Sequence, residues 1–138
     1  MNAIEKKTTY KKILLIDDDE VDLFITERIV KAANYADEVV SKRSAYAAFE
    51  YLQGLMADPK SLPQVIFLDI NMPGDNGIDF LNKLYSLDPK VIKNCKVIVL
   101  SNLTDPSLKE IKSAAAHPMV KNILHKPLTV AMLDSMLN

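Results

Sequence analysis

The sequence predicts an α/β fold in which a parallel sheet is covered by helices on both faces. Three observations carry this. Short unbroken apolar runs recur at residues 13–16, 65–68 and 97–100, and runs of that length without polar alternation are what strands buried on both faces require. Between them lie stretches with apolar residues at helical spacing. Strand and helix alternate five times, with no repeat, low-complexity tract or internal linker, the pattern that right-handed crossovers fold into one parallel sheet.

Residues 1–10 read as a lead-in. Its lysines, Lys6 and Lys7, run on into Lys11 and Lys12 without the aromatic interleaving of a single-strand-binding surface. After the first strand, Val21, Phe24, Ile25 and Ile29 recur at helical spacing, predicting an amphipathic helix over 20–33. A short strand around Glu38 to Ser41 follows, then a helix from about Ser44 to Met56 carrying Ala47, Ala48, Tyr51 and Leu55. Asp58, Pro59, Ser61 and Pro63 break the chain before the second greasy run, Val65 to Leu68, which ends in Asp69. Asn71 to Gly77 reads as a loop punctuated by Pro and Gly.

The next helix places Ile78, Leu81, Leu84 and Tyr85 on one side and ends near Asp88 and Pro89. The run Val97 to Leu100 ends in Ser101 and Asn102. Asp105 before Pro106 reads as an N-cap with Pro at the first helical position, and Leu108, Ile111 and Ala115 are expected to supply that helix's inner face. A weaker run, Val120 to Leu124, leads to His125, Lys126 and Pro127, and Thr129 is expected to cap a last helix to about Leu137.

At 138 residues the chain is expected to form one domain over 11–138. Hydrophobic residues at 49% and charged residues at 25% are ordinary for a globular chain. A net charge of −1 gives no general attraction to nucleic acid or anionic membrane. No run has the length of a membrane span, and none near the start resembles a signal peptide. The lone cysteine, Cys95, cannot form an internal disulfide. A cytoplasmic location is therefore expected.

In open parallel sheets ligands bind beyond the carboxyl ends of the strands. Those ends bring Asp17, Asp18 and Asp69 together with Ser101 and Lys126. Adjacent carboxylates repel unless a cation intervenes, and the chemistry that suits this set is phosphoryl transfer onto a carboxylate. Asp69 serves as nucleophile, while Asp17 and Asp18 hold Mg²⁺ (Mn²⁺ is also compatible), a hard ion that prefers oxygen. Lys126 pairs with a phosphoryl oxygen as a point charge, and the Ser101 hydroxyl donates to another. Asp19 and Glu20 read instead as the start of the first helix.

The residues "LIDDDE", "LDINMPGDNG", "VIVLSN" and "LHKPL", at the ends of successive strands, closely resemble the receiver domains of two-component response regulators, over about Lys11 to Leu137. The resemblance implies a flavodoxin-like (βα)5 three-layer sandwich with strand order 2-1-3-4-5. It implies that Asp69 accepts a phosphoryl group from a phosphohistidine of a sensor histidine kinase or histidine phosphotransfer protein. Asp17 and Asp18 are then the acidic pair, Asn71 lends its backbone carbonyl to the metal, Ser101 is the switch hydroxyl, and Lys126 precedes a Pro127 that is typically cis. Two positions depart from the pattern. Asn102 is bulkier than the usual Ala or Gly, and Ile123 stands where many receivers carry a Tyr or Phe, which leaves the usual hydroxyl-to-aromatic coupling open.

Other readings start from the same residues. "ILLIDDDEV" also resembles the opening motif of haloacid-dehalogenase-like phosphatases with Asp17 as nucleophile, but beyond Lys126 only Asp134 remains to supply the second acidic pair such enzymes need. A receiver-fold docking module that works without phosphorylation is a further alternative. An EF-hand loop fails, with Asp22 where Gly is required and Arg28 where Glu is required. His117 and His125 lack partners at metal-ligand spacing, and Met56, Met119, Met132 and Met136 read as core or interface filling. The chain stops just after its last expected helix, so the expectation is a stand-alone receiver that is a phosphoacceptor rather than an enzyme. Its output would be protein contact through the fourth helix, fifth strand and fifth helix.

Overall fold

Alternation along the strands decides how this molecule is layered. The computed structural model describes residues 9–72, 75–89, 93–102 and 108–137. Five parallel strands form one sheet: β1 Tyr10–Ile16, β2 Ala36–Lys42, β3 Val65–Asp69, β4 Lys96–Ser101 and β5 Val120–His125, in the order β2-β1-β3-β4-β5. Among the described residues five α-helices cover them, α1 Glu20–Ala33, α2 Ala45–Gly54, α3 Gly77–Tyr85, α4 Lys109–Ala116 and α5 Val130–Leu137, with a single-turn helix at Pro59–Ser61.

Successive side chains of a strand point to opposite faces, so the buried runs feed two separate cores. Leu14, Ile16, Ile66, Leu68, Val97 and Val99 pack with Ala48 and Leu52 of α2, Phe80, Leu81 and Leu84 of α3, and Ala114 of α4. Ile13, Leu15, Val65, Phe67, Ile98 and Leu100 pack on the other face with Leu23 and Val30 of α1 and Leu133 of α5. Residues 13–16 of β1, all of β3 and residues 97–101 of β4 are buried. This is the flavodoxin-like three-layer sandwich. The methionines fill it: Met119 belongs to the first core, Met56 packs against it, and Met132 and Met136 pack against the second.

The helix ends follow from local chemistry. Asp19 caps α1, its carboxylate accepting from the N–H groups of Val21 at 2.9 Å and Asp22 at 3.1 Å. Asn34 closes α1 in the left-handed region, φ 55°, a conformation Asn tolerates better than most residues. The Ser44 hydroxyl caps α2 by accepting from Ala47 N–H at 3.0 Å, and the Thr129 hydroxyl accepts from Met132 N–H at 3.2 Å at the start of α5.

Several expected faces are corrected. In α1 the buried residues are Leu23, Thr26 and Val30, whereas Val21, Phe24 and Ile25 are exposed; the apolar periodicity was real but only Ile29 of that set packs inward. In α3 Phe80 is buried and Tyr85 is 49% exposed, because its ring lies outside, edge-on to His117 at 5.6 Å. In α4 the buried alanine is Ala114 and Ala115 is exposed, with Leu108 and Ile111 half-buried. The expected loop at Asn71 to Gly77 contains a two-residue antiparallel ladder, Asn71 opposite Asn76 and Met72 opposite Asp75. The expected N-cap at Asp105 and Pro106 lies outside the described residues.

Candidate functional site

Four of the five strands, β1, β3, β4 and β5, bring a polar residue to their carboxyl ends on the same side of the sheet. Asp17 and Asp18 follow β1, Asp69 is the last residue of β3, Ser101 the last of β4, and Lys126 follows β5. Asp17, Asp69, Ser101 and Lys126 are all buried, and Asp18 is half-buried. The backbone fixes their spacing, since Lys126 N–H donates to Ser101 O at 2.9 Å and Ile70 N–H to Leu100 O at 3.3 Å. The Lys126–Pro127 peptide is cis.

The charged groups converge. Lys126 Nζ lies 2.7 Å from Asp17 Oδ2, 3.0 Å from Asp22 Oδ2 and 3.4 Å from Asp69 Oδ2. Asp17 Oδ1 accepts from Asp19 N–H at 2.9 Å, and Asp69 Oδ1 from Asn71 N–H at 2.9 Å. One carboxylate oxygen each of Asp17, Asp18 and Asp69 lies within 4.8 Å of the others. One ammonium therefore faces three carboxylates, with Asp18 a fourth in the cluster, and the group keeps an excess of negative charge.

Burial, helped by the nearby Asp17 charge and opposed by the Asn71 N–H and Lys126, leaves the Asp69 carboxyl pushed up to about 6. Burial alone would lower the Lys126 ammonium, but the hydrogen bonds to Asp17 and Asp22 outweigh it and hold the group firmly protonated. Three hard oxygen donors with unneutralised charge match what Mg²⁺ requires and do not match softer metals. The residues present fit that ion.

Asp22 escaped the sequence reading. In the sequence it is one more acid in the first turn of a helix, where such residues are common, and only its proximity to Lys126 sets it apart. Asn102 is exposed and, with Asp22, Thr26, Lys126 and Pro127, lines a shallow cavity of about 150 Å³ beside the acids. Ile123 is half-buried opposite Val99 and packs against the first core. His117 is buried, its Nδ1 accepting from Met119 N–H at 3.2 Å, and burial lowers its pKa. His125, at the end of β5, is exposed. Neither histidine belongs to the acidic cluster.

Comparison with known proteins agrees with this geometry. A family model described as the response regulator receiver domain matches residues 13–138. The chemotaxis protein CheY of Thermotoga maritima is 29% identical over 115 residues, covering 80% of this chain and 85% of that protein. The transcriptional regulatory protein HptR of Staphylococcus aureus is 27% identical over 126 residues, 91% of this chain but 44% of the regulator, so the chain spans under half the length of those relatives. Among solved structures, a two component response regulator from Cytophaga hutchinsonii aligns with a TM-score of 0.80 at 33% identity, covering 92% of this chain and 93% of that one. A receiver protein from Dyadobacter fermentans gives 0.76 at 29% identity, covering 92% and 94%.

Proposed function

The chain belongs to the response regulator receiver domain family, and on that premise we propose that Asp69 accepts a phosphoryl group from the phosphohistidine of a sensor histidine kinase or histidine phosphotransfer protein. A carboxylate oxygen of Asp69 attacks phosphorus, the new O–P bond forms as the P–N bond breaks, and the imidazole nitrogen leaves with the electron pair and takes up a proton. The observation that carries this reading is Lys126 Nζ, held 2.7 Å from Asp17 and 3.4 Å from Asp69. A buried ammonium held beside the phosphoacceptor carboxylate can exchange one of its carboxylate partners for a phosphoryl oxygen.

Asp17, Asp18 and Asp69, with the backbone carbonyl of Asn71, would hold Mg²⁺ or Mn²⁺. That ion supplies positive charge against the oxygens of the transferring group. Asn71 N–H keeps the Asp69 side chain oriented through Oδ1. Ser101 sits at the end of the neighbouring strand, where its hydroxyl donates to the acquired phosphoryl group, and Lys126 moves toward the same group. These two shifts bias the molecule between two states. The readout is the α4–β5–α5 face, since β4 and β5 carry Ser101 and Lys126 to its border, and Ile123 repacks there in place of a turning aromatic ring.

The donor docks beside the acids. Val21, Phe24 and Ile25 are 65%, 58% and 42% exposed on α1, an apolar patch of the kind that marks an interaction surface. Residues 11–138 act as one signalling domain, a phosphoacceptor whose only catalysis is of its own phosphorylation and dephosphorylation. No helix among the described residues is long and apolar enough to cross a membrane, and the cytoplasm is the compartment proposed.

Incubation with acetyl phosphate and Mg²⁺, followed by intact-mass measurement, tests this. One phosphoryl group is expected on the wild type and none on Asp69→Asn. No addition to the wild type under any condition would favour a phosphorylation-independent docking module. Multiple turnover of a phosphate ester that needs Asp17 but not Asp69 would favour the phosphatase reading.

A further inference from the structure

At the opposite end of the strands a second cavity carries the opposite charge. It encloses about 570 Å³, within the range of small-molecule sites. Lys11, Lys60, Lys93, Lys96 and Lys121 line it, and no Asp or Glu does. They come from separate segments: β1, the single-turn helix Pro59–Ser61, the entry to β4, and β5. None of the five makes an ion pair among the described residues. Lys121 is displaced by a register shift that pairs Val97 with Val120 but Ile98 with Asn122, so it stands outside the ladder. In a chain of net charge −1, this gathering of ammonium groups around one hollow is a local reversal of the average.

We propose that this cavity binds a small ligand bearing a chain of phosphates. Separated positive point charges around a concavity match several linked anionic groups better than one, because each lysine then has its own partner. A lone phosphate is better served by clustered backbone N–H groups, and here the N–H groups of Tyr10, Gln64, Lys96 and Val97 already donate to Tyr35, Lys12, Gln64 and Met119 carbonyls. Nucleic acid prefers an extended basic track with several stacking rings, whereas Tyr10 is the single aromatic ring in the lining and already has Lys96 Nζ 5.8 Å from its centroid. The site is independent of the acidic pocket and of Asp69.

The test is a titration of the full chain with inorganic triphosphate, in the absence of divalent cations, followed by two-dimensional amide NMR. Saturable shifts are expected at Lys60, Asn94, Lys96 and Lys121, unchanged in Asp69→Asn. The double variants Lys60→Glu/Lys121→Glu and Lys60→Gln/Lys121→Gln should each weaken binding at least about tenfold, roughly 1.4 kcal/mol. Lys112→Glu, on the exposed side of α4, should change it less than about twofold. ATP run in parallel separates a phosphate-only site, where both probes bind equally, from one that also holds a base, where ATP binds more tightly; either result supports the proposal. Absence of saturable shifts, equal weakening by Lys112→Glu, or binding of polyglutamate but not triphosphate would overturn it.

Discussion

Asp22 Oδ2 lies 3.0 Å from Lys126 Nζ, so the buried ammonium is shared between helix α1 and the strand ends. The two sides of this arrangement differ in burial, the side chain of Asp22 being 35% exposed and those of Asp17 and Lys126 5% and 7%. Removing the exposed partner, Asp22→Asn, should cost under about 1 kcal/mol. Removing the ammonium, Lys126→Met, leaves buried carboxylates uncompensated and should cost about 3 to 5 kcal/mol in metal-free buffer. Urea denaturation measures both, and added Mg²⁺ should recover much of the second loss. Equal costs would show that Lys126 is not holding the acids.

The position of Asp69 sets a pH dependence. Its folded pKa, about 6, lies above the ordinary 3.8, so between those values the folded protein holds a proton that the unfolded chain releases. Stability contributed by this group is therefore present at low pH and is lost as pH rises toward about 6, in the metal-free protein. Mg²⁺ binding runs the other way, weakening as pH falls below about 6 because the ion competes with the proton. The difference between wild type and Asp69→Asn, measured by urea unfolding across that window, isolates the effect from other carboxylates such as Glu27. Glu27's pKa is lowered by its hydrogen bonds to Lys31 and Ser41, so its own contribution is lost as pH falls.

Gly77 opens α3 directly against the backbone that follows Asp69. A Cβ placed there would stand 3.2 Å from Ile70 Cα and 3.5 Å from Ile70 O. Neither neighbour is a flexible side-chain tip, so Gly77→Ala should force the segment after Asp69 outward. Stability should drop by about 1 to 3 kcal/mol, and phosphorylation by acetyl phosphate should slow. An unchanged rate would mean that this segment can yield without disturbing Asp69.

Tyr35 is fully buried, and its hydroxyl donates to the Asp134 carboxylate on α5. That carboxylate raises the phenol pKa to about 12. Tyr35→Phe keeps the ring and removes the hydroxyl, so it should cost about 0.5 to 1.5 kcal/mol. Tyr35→Ala also empties the core beside Leu133 and Val30, costing about 3 to 5 kcal/mol. Hydrogen exchange of α5 amides should rise in both variants.

The strand ends were legible because each buried run stops at its first polar residue, so Asp17, Asp69 and Ser101 could be located by counting. The residues that pack or pair across elements were less so. The place of Asp22 depends on the rotation of α1 about its axis, which the sequence leaves ambiguous because Val21, Phe24 and Ile25 form as good an apolar stripe as Leu23, Thr26 and Val30. In α4 the run Ala114, Ala115 and Ala116 carries no phase information at all. The short ladder after Asn71 was hidden because Pro73 and Gly74 signal a turn without signalling pairing on either side of it.

The two ends of the sheet also make the molecule an electric object as well as a folded one. Asp17, Asp18, Asp22 and Asp69 cluster beyond one end of the strands, and five lysines ring the hollow at the other. With a net charge of −1, attraction as a point charge is weak, and what an approaching partner meets first is a torque. A partner carrying positive charge is turned toward the acidic end before contact, and that rotation fades as added salt shortens the reach of the field.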